Sequence, residues 1–190
     1  MLAAIIANGP SLTKEQVNAC KGRARIYAVN NAYVLAPWAD VLYSCDKEWW
    51  DHYKPDFSGE KWTINEEAAA QHGLNLIEHD TRLCFSSSKG IIATGGNSGF
   101  QALNLAYEQG CRKAILIGFD YHTPQAHWFG QHPGAMNKNP AMHQWIKHMA
   151  AAAPIMAELG YEVVNCTPNS AIQSFPFLGL EDALCKLSHA

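Results

Sequence analysis

Clusters of positive charge are missing from this sequence. Its 14 lysines and arginines are scattered without a basic run, and the formal net charge is −3, which argues against broad electrostatic binding to nucleic acid. A mononucleotide is not excluded on that ground, because it needs backbone donors and few cations. Paired cysteine spacings are missing too. The six cysteines, Cys20, Cys45, Cys84, Cys111, Cys166 and Cys185, form no C-x-x-C, so a structural zinc site or disulfide framework is disfavoured and reduced, partly buried thiols in a cytoplasmic protein are expected. No apolar run approaches membrane-spanning length. Residues 1–7 are apolar but lack a basic leader and are broken at once by Asn8-Gly9-Pro10, so they read as a first strand and not as a signal peptide. Internal repeats, low-complexity tracts and linkers are absent as well, and a chain of 190 residues fits one domain spanning 1–190.

What is present is a globular composition, 48% hydrophobic and 16% charged. Short apolar runs alternate with helical patterns, the signature of βαβ units and a parallel sheet. The pattern predicts strands over 2–7, 25–29, 40–44, 113–117 and 161–164, with a weaker one over 82–86. It predicts helices over 14–21, 99–109, 143–159 and 180–187. Thr13 with Gln16, and Ser98 with Gln101, read as capping boxes, and Gly110 and Gly160 suit the left-handed position after a helix. The less regular stretch 49–90 reads as an extra strand or helix plus a wall over the sheet edge. Residues 122–140, rich in His, Gly, Pro and Asn, form a long connection that reads as a lid or binding loop. The fold class is therefore α/β, a Rossmann-like parallel sheet flanked by helices.

Each predicted strand runs into a polar cluster: Asn8-Gly9-Pro10-Ser11, Asn30-Asn31, Ser44-Cys45-Asp46, Phe119-Asp120-Tyr121-His122 and Asn165-Cys166-Thr167-Pro168-Asn169-Ser170. Any one alone would be an ordinary turn. In a parallel sheet all five share the carboxyl edge, where such folds hold ligands. The first cluster can offer backbone N–H groups and a hydroxyl to a phosphate at a helix entrance. Thr94-Gly95-Gly96-Asn97-Ser98-Gly99 offers a second cradle, although neither matches a P-loop or dinucleotide fingerprint. Asn30 and Asn169 can read a base edge or ribose hydroxyls. Of nine histidines, His122, His127, His132 and His143 fall in or beside the long loop, and an imidazole there is a suitable general base. A metal site from Asp120, His122, His127 and His132 matches no specific zinc spacing.

The order of these motifs, N-G-P-S-L after the first strand, Asn30 after the second, S-G opening a helix, G-F-D-Y after a later strand, a His-containing loop and then P-N-S, resembles the bacterial CMP-sialic-acid sialyltransferases of glycosyltransferase family 42. It also resembles a set of short phage-encoded proteins sharing the pattern. The resemblance implies a cytoplasmic, glycosyltransferase-like domain whose partner is a cytidine nucleotide or nucleotide sugar. Asn8, Gly9 and Ser11 would lie by phosphate and ribose, and Asn30 would bind the donor. Ser98 and Gly99 would line the phosphate or cytidine side, with Pro168, Asn169 and Ser170 completing the pocket. Ser44, with Asp46 beside it, stands where the family has an Asn, and Asp120 is the Asp of the G-x-D motif. The family's base matches His132 best and His127 second, and Tyr121 stands nearest to its phosphate-assisting tyrosines. Ala7 replaces a family Gly, Gly95 an Arg and His122 a Tyr, and the family's membrane-associating C-terminal region has no counterpart. No cofactor, metal, nucleic acid or membrane is implied, and homo-oligomer formation is left open. The alternatives are a non-catalytic nucleotide-binding or host-interaction module and, less favoured, a metal-assisted hydrolase built on Asp120 and the loop histidines.

Overall fold

The computed structural model describes residues 1–122, 127–136 and 141–188. In chain order its strands are β1 (Leu2–Ile6), β2 (Arg25–Val29), β3 (Val41–Tyr43), β4 (Glu60–Thr63), β5 (Asn75–Leu76), β6 (Glu78–Asp80), β7 (Ile91–Ala93), β8 (Lys113–Ile117) and β9 (Glu162–Asn165). The α-helices are α1 (Lys14–Ala19), α2 (Lys47–Tyr53), α3 (Glu66–His72), α4 (Ser98–Glu108), α5 (Met142–Glu158) and α6 (Leu180–Ser188). Seven strands make one parallel sheet in the order β5-β4-β3-β2-β1-β8-β9, and β6 pairs with β7 in a separate parallel ribbon. Among the described residues no helix is long and apolar enough to cross a membrane.

Two cores explain why β1 reads as an unbroken apolar run. Ala3 and Ile5 face one core with α4 and α5, through Phe100, Leu103, Met149, Ala152 and Met156. Leu2, Ala4 and Ile6 face the other with α1, α2, α3 and α6, through Val17, Trp49, Trp50, Ala68 and Leu184. A central parallel strand buried on both faces needs apolar residues at every position. The chain moves outward from β1 to β5, then returns to lay β8 and β9 on the other side of β1. The order therefore reverses between β1 and β8, and a crevice opens outside their carboxyl ends.

The stretch 49–90 supplies the extra strand expected of it, since β4 and β5 extend the sheet. Two expectations change. No strand forms over 82–86; β6 and β7 lie to either side of it. The N-cap of α4 is Asn97 and not Ser98: the Asn97 amide oxygen accepts the Phe100 N–H at 2.9 Å, while the Ser98 hydroxyl is engaged with Cys45. The Thr13–Gln16 capping box is present, with bonds of 2.9 and 3.2 Å.

Candidate functional site

The carboxyl ends of β1, β2, β3 and β8 open into a cleft of about 550 Å³ at the reversal point. Asn8, Gly9, Asn30, Asp46, Ser98, Gly99, Asp120, Tyr121, His127 and His132 line it. Ser11, Ser44, Pro168, Asn169 and Ser170 are not among its lining residues. Of the four described non-glycine residues with left-handed backbone, Asn30 (φ +47°), Tyr121 (φ +52°) and Asn169 (φ +54°) follow β2, β8 and β9. Strain of this kind persists only where surrounding structure holds it, and it gathers at functional edges.

The hydrogen bonds decide which groups are available to a ligand. Asn8 donates through Nδ2 to the Val29 carbonyl at 2.7 Å and accepts from Trp128 Nε1 at 3.2 Å. Its carbonyl accepts from Trp128 N and from His127 Nδ1, each at 3.2 Å. Asn8 thus fastens the 127–130 segment over the strand end. Gly9 N–H donates to the Gly118 carbonyl at 2.8 Å. Ser11 gives its N–H to Asp120 Oδ1 at 3.2 Å and its hydroxyl to Oδ2 at 2.9 Å. The donors that a phosphate cradle here would use are therefore engaged within the fold. The helix they were expected to open starts only at Lys14, under its own Thr13 cap. Gly9 is required by this arrangement, since a Cβ there would stand 1.8 Å from Asp120 Oδ2.

Other predicted residues serve as framework. Ser44 is buried, its carbonyl accepting from Trp50 Nε1 at 3.0 Å. Buried Ser170 donates to the Phe119 carbonyl at 2.5 Å, tying the β9 loop to the end of β8. Pro168 and Asn169 are exposed, and the Asn169 carbonyl accepts from His122 Nε2.

Free donors occur instead at the start of α4. Gly95 and Gly96 both have positive φ, and the first-turn amides of Ser98 and Gly99 have no hydrogen-bond acceptor among the described residues. The Ser98 hydroxyl accepts from Cys45 N–H and donates to Cys45 Sγ, both at 3.1 Å. Burial and the neighbouring Asp46 push the Cys45 thiol up to about 12, so it stays protonated. Tyr121 donates to Asn97 Oδ1 at 2.8 Å, and burial raises its hydroxyl above the usual phenol range. The Trp145 ring lies 5.6 Å from that of Tyr121.

Across the cleft His132 sits against His127 and Phe129, with ring centroids 5.2 and 5.0 Å away. Its Nδ1 is 3.1 Å from the Tyr53 hydroxyl. Burial, with His127 and His52 nearby, lowers His132 from its ordinary 6.5 to about 4. Desolvation lowers His127 as well, countered by its bond to Asn8. Both imidazoles are neutral at neutral pH. Asn30 Oδ1 is buried without a hydrogen-bond partner among the described residues.

The described lining also includes Glu48, Trp49, Met136, Met142 and Trp145, and it contains no lysine or arginine. Sequence reasoning missed these residues and Tyr53. The i, i+4 spacing of Trp49 and Tyr53 directly after a strand-end cluster was the available signal. The disfavoured alternative of a metal site does not assemble among the described residues: Asp120 is held by Ser11, His122 by Asn169, His127 by Asn8 and His132 by Tyr53. No group of three or more His, Cys, Asp or Glu able to hold an ion occurs among the described residues.

A parallel α/β sheet with helices on both faces and a crevice at the reversal point of its strand order is a Rossmann-like fold. Among solved structures it is similar to the MAf glycosyltransferase from Magnetospirillum magneticum AMB-1, with a TM-score of 0.65 and 14% sequence identity. The match covers 97% of this chain and 36% of that one, so this chain spans little more than a third of its neighbour's length. At that identity the likeness is one of fold. No protein-family model and no curated protein matches the sequence.

Proposed function

We propose that the cleft binds a nucleotide sugar, with cytidine as the base that the sialyltransferase resemblance implies, and that the protein transfers the glycosyl group to a hydroxyl acceptor. The observation that carries this reading is Asn30. Its backbone is held left-handed and its amide oxygen is buried without a partner among the described residues, on the wall of a cleft at the sheet's reversal point. An unsatisfied buried acceptor is costly, and a ligand N–H or O–H would satisfy it.

In this reading the donor phosphate lies at the start of α4, where the Ser98 and Gly99 amides and the dipole of an 11-residue helix favour negative charge. The acceptor oxygen attacks the anomeric carbon while the bond to the phosphate oxygen breaks. The nucleotide departs with that electron pair, and Nε2 of His132 takes the acceptor's proton. His132 is neutral at neutral pH and therefore ready to accept. Preorganised amides carry the leaving-group charge.

The second reading is a nucleotide-binding module without catalysis. The tethered Tyr121 hydroxyl and the absence of lysine and arginine from the described lining favour it. Thermal-shift titration with CMP, CDP, UDP and GDP compounds, with and without divalent metal, tests both. A cytidine-specific shift without metal, reduced in Asn30→Ala, supports nucleotide binding, and donor turnover then separates the two readings. No shift with any nucleotide overturns both.

A further inference from the structure

We propose that Tyr53 is the positioning residue for His132, accepting a hydrogen bond from Nδ1–H so that Nε2 is left as the proton acceptor in the cleft. This rests on the reading of His132 as the base. A neutral imidazole is a base at one nitrogen only, and the partner of the other nitrogen selects which. Tyr53 supplies that partner at 3.1 Å. The two rings meet edge-on, with centroids 5.9 Å apart at 71°.

Tyr53 is itself held from below. It is the last residue of α2, where Lys54 ends the helix with φ +40°. One turn earlier, Trp49 packs its ring 5.3 Å from that of Tyr53 and is buried. Trp49 Nε1 donates to Asn31 Oδ1 at 2.6 Å, and Trp50 Nε1 donates to the Ser44 carbonyl at 3.0 Å. The Tyr53 hydroxyl is thus delivered by a frame bonded to the ends of β2 and β3. His132 is clamped on its other edges by His127 and Phe129, in a segment that Asn8 fastens through Trp128. Tyr53 is only partly buried, so its own proton can go to water while its oxygen accepts. His127 fits the same pattern: its Nδ1 faces the Asn8 carbonyl, which can only accept, so that nitrogen carries the proton. Among the described residues the ionisable groups that act on His132 are His127 and Tyr53, in contact with it, and the nearby His52, and none is a permanent charge that would override the hydrogen bond.

The test reads the tautomer directly. Long-range proton–nitrogen correlation spectra of the full ¹⁵N-labelled chain at neutral pH, with His132 assigned by its loss in His132→Gln, should show Nδ1 protonated. In Tyr53→Phe the His132 signals should move toward the Nε2–H form. A wild-type His132 protonated on Nε2 overturns the proposal without any variant having to fold, and so do unchanged His132 signals in a folded Tyr53→Phe. Where turnover is measured, Tyr53→Phe should lower kcat at least roughly tenfold with KM unchanged, part of the roughly 10²–10⁴ that a positioned base supplies; an unchanged kcat overturns the proposal. If no donor turns over, or His132→Gln is fully active, the base reading fails, while the spectra still decide whether Tyr53 orients the ring.

Discussion

Asn30 joins a strained backbone to an unpartnered buried oxygen, and replacing it separates those two features. Asn30→Ala keeps the strain and removes the acceptor, so nucleotide Kd should rise roughly three- to tenfold, the value of one hydrogen bond, with little change in Tm. Asn30→Gly should weaken binding similarly while raising stability by about 1 kcal/mol, because glycine tolerates positive φ. Calorimetric titration alongside thermal unfolding checks both; an Asn30→Ala protein with unaltered Kd removes Asn30 from the site. For His132, Ala substitution should cut turnover by roughly two to four orders of magnitude. The acid limb of wild-type kcat/KM should fall near pH 4, following the lowered imidazole, and not near 6.5. A rate profile bending at 6–7 would dissociate His132 from proton transfer. The sequence places Asn8, Asn30 and Ser98 at one edge because each follows a strand or opens a helix, and His132 there because it lies in the long connection after β8. It cannot show which of their hydrogen bonds are already made. Asn8 and Ser11 look as available as Asn30 in the sequence, yet Trp128, Val29 and Asp120 occupy them. Tyr53 escaped notice for a different reason: its partner is distant in the chain.

At the scale of elements, the loops after β1 and β8 lock together through Gly9, Gly118, Ser11 and Asp120. A Cβ at Gly9 would also stand 2.6 Å from the Gly118 carbonyl oxygen, an atom that cannot swing aside. Gly9→Ala should therefore destabilise by about 1–3 kcal/mol, the range for overpacking. In an Asp120→Ala background part of that cost should disappear. Denaturant unfolding of the four proteins measures the coupling, and additivity would contradict the contact. The elements legible in the sequence, β1, β2, β3, β8, β9, α1, α4, α5 and α6, are those marked by an apolar run, an apolar stripe or a capping signal. β4 and β5 were not legible. β4 is buried only at Thr63, and both residues of β5 are exposed, so neither alternation nor an apolar run marks them. They join the sheet through backbone pairing, which side-chain pattern does not record.

For the whole molecule, His132 links stability to acidity. Its folded-state value lies below the ordinary 6.5, so the unfolded chain binds its proton first as pH falls. Stability should be undiminished by this group above about pH 6.5, decline between there and about 4, and decline no further on its account below that. His132→Gln should flatten that stretch of a Tm-against-pH curve, and an unchanged slope would show that the ring is not desolvated. The sheet order carries a different consequence, concerning synthesis. β1 leaves the ribosome well before β8, yet one of its two flanks is covered only by β8, in the register Leu2↔Lys113 to Ile6↔Ile117. Until that distant segment emerges, Leu-Ala-Ala-Ile-Ile presents a fully apolar strand with open pairing groups, the kind of edge that recruits other chains. A chain stopped before Lys113 should therefore precipitate or be captured by chaperones, whereas one reaching past Asn165 should have its central strand sealed on both sides, a contrast that arrested translation products of the two lengths would display.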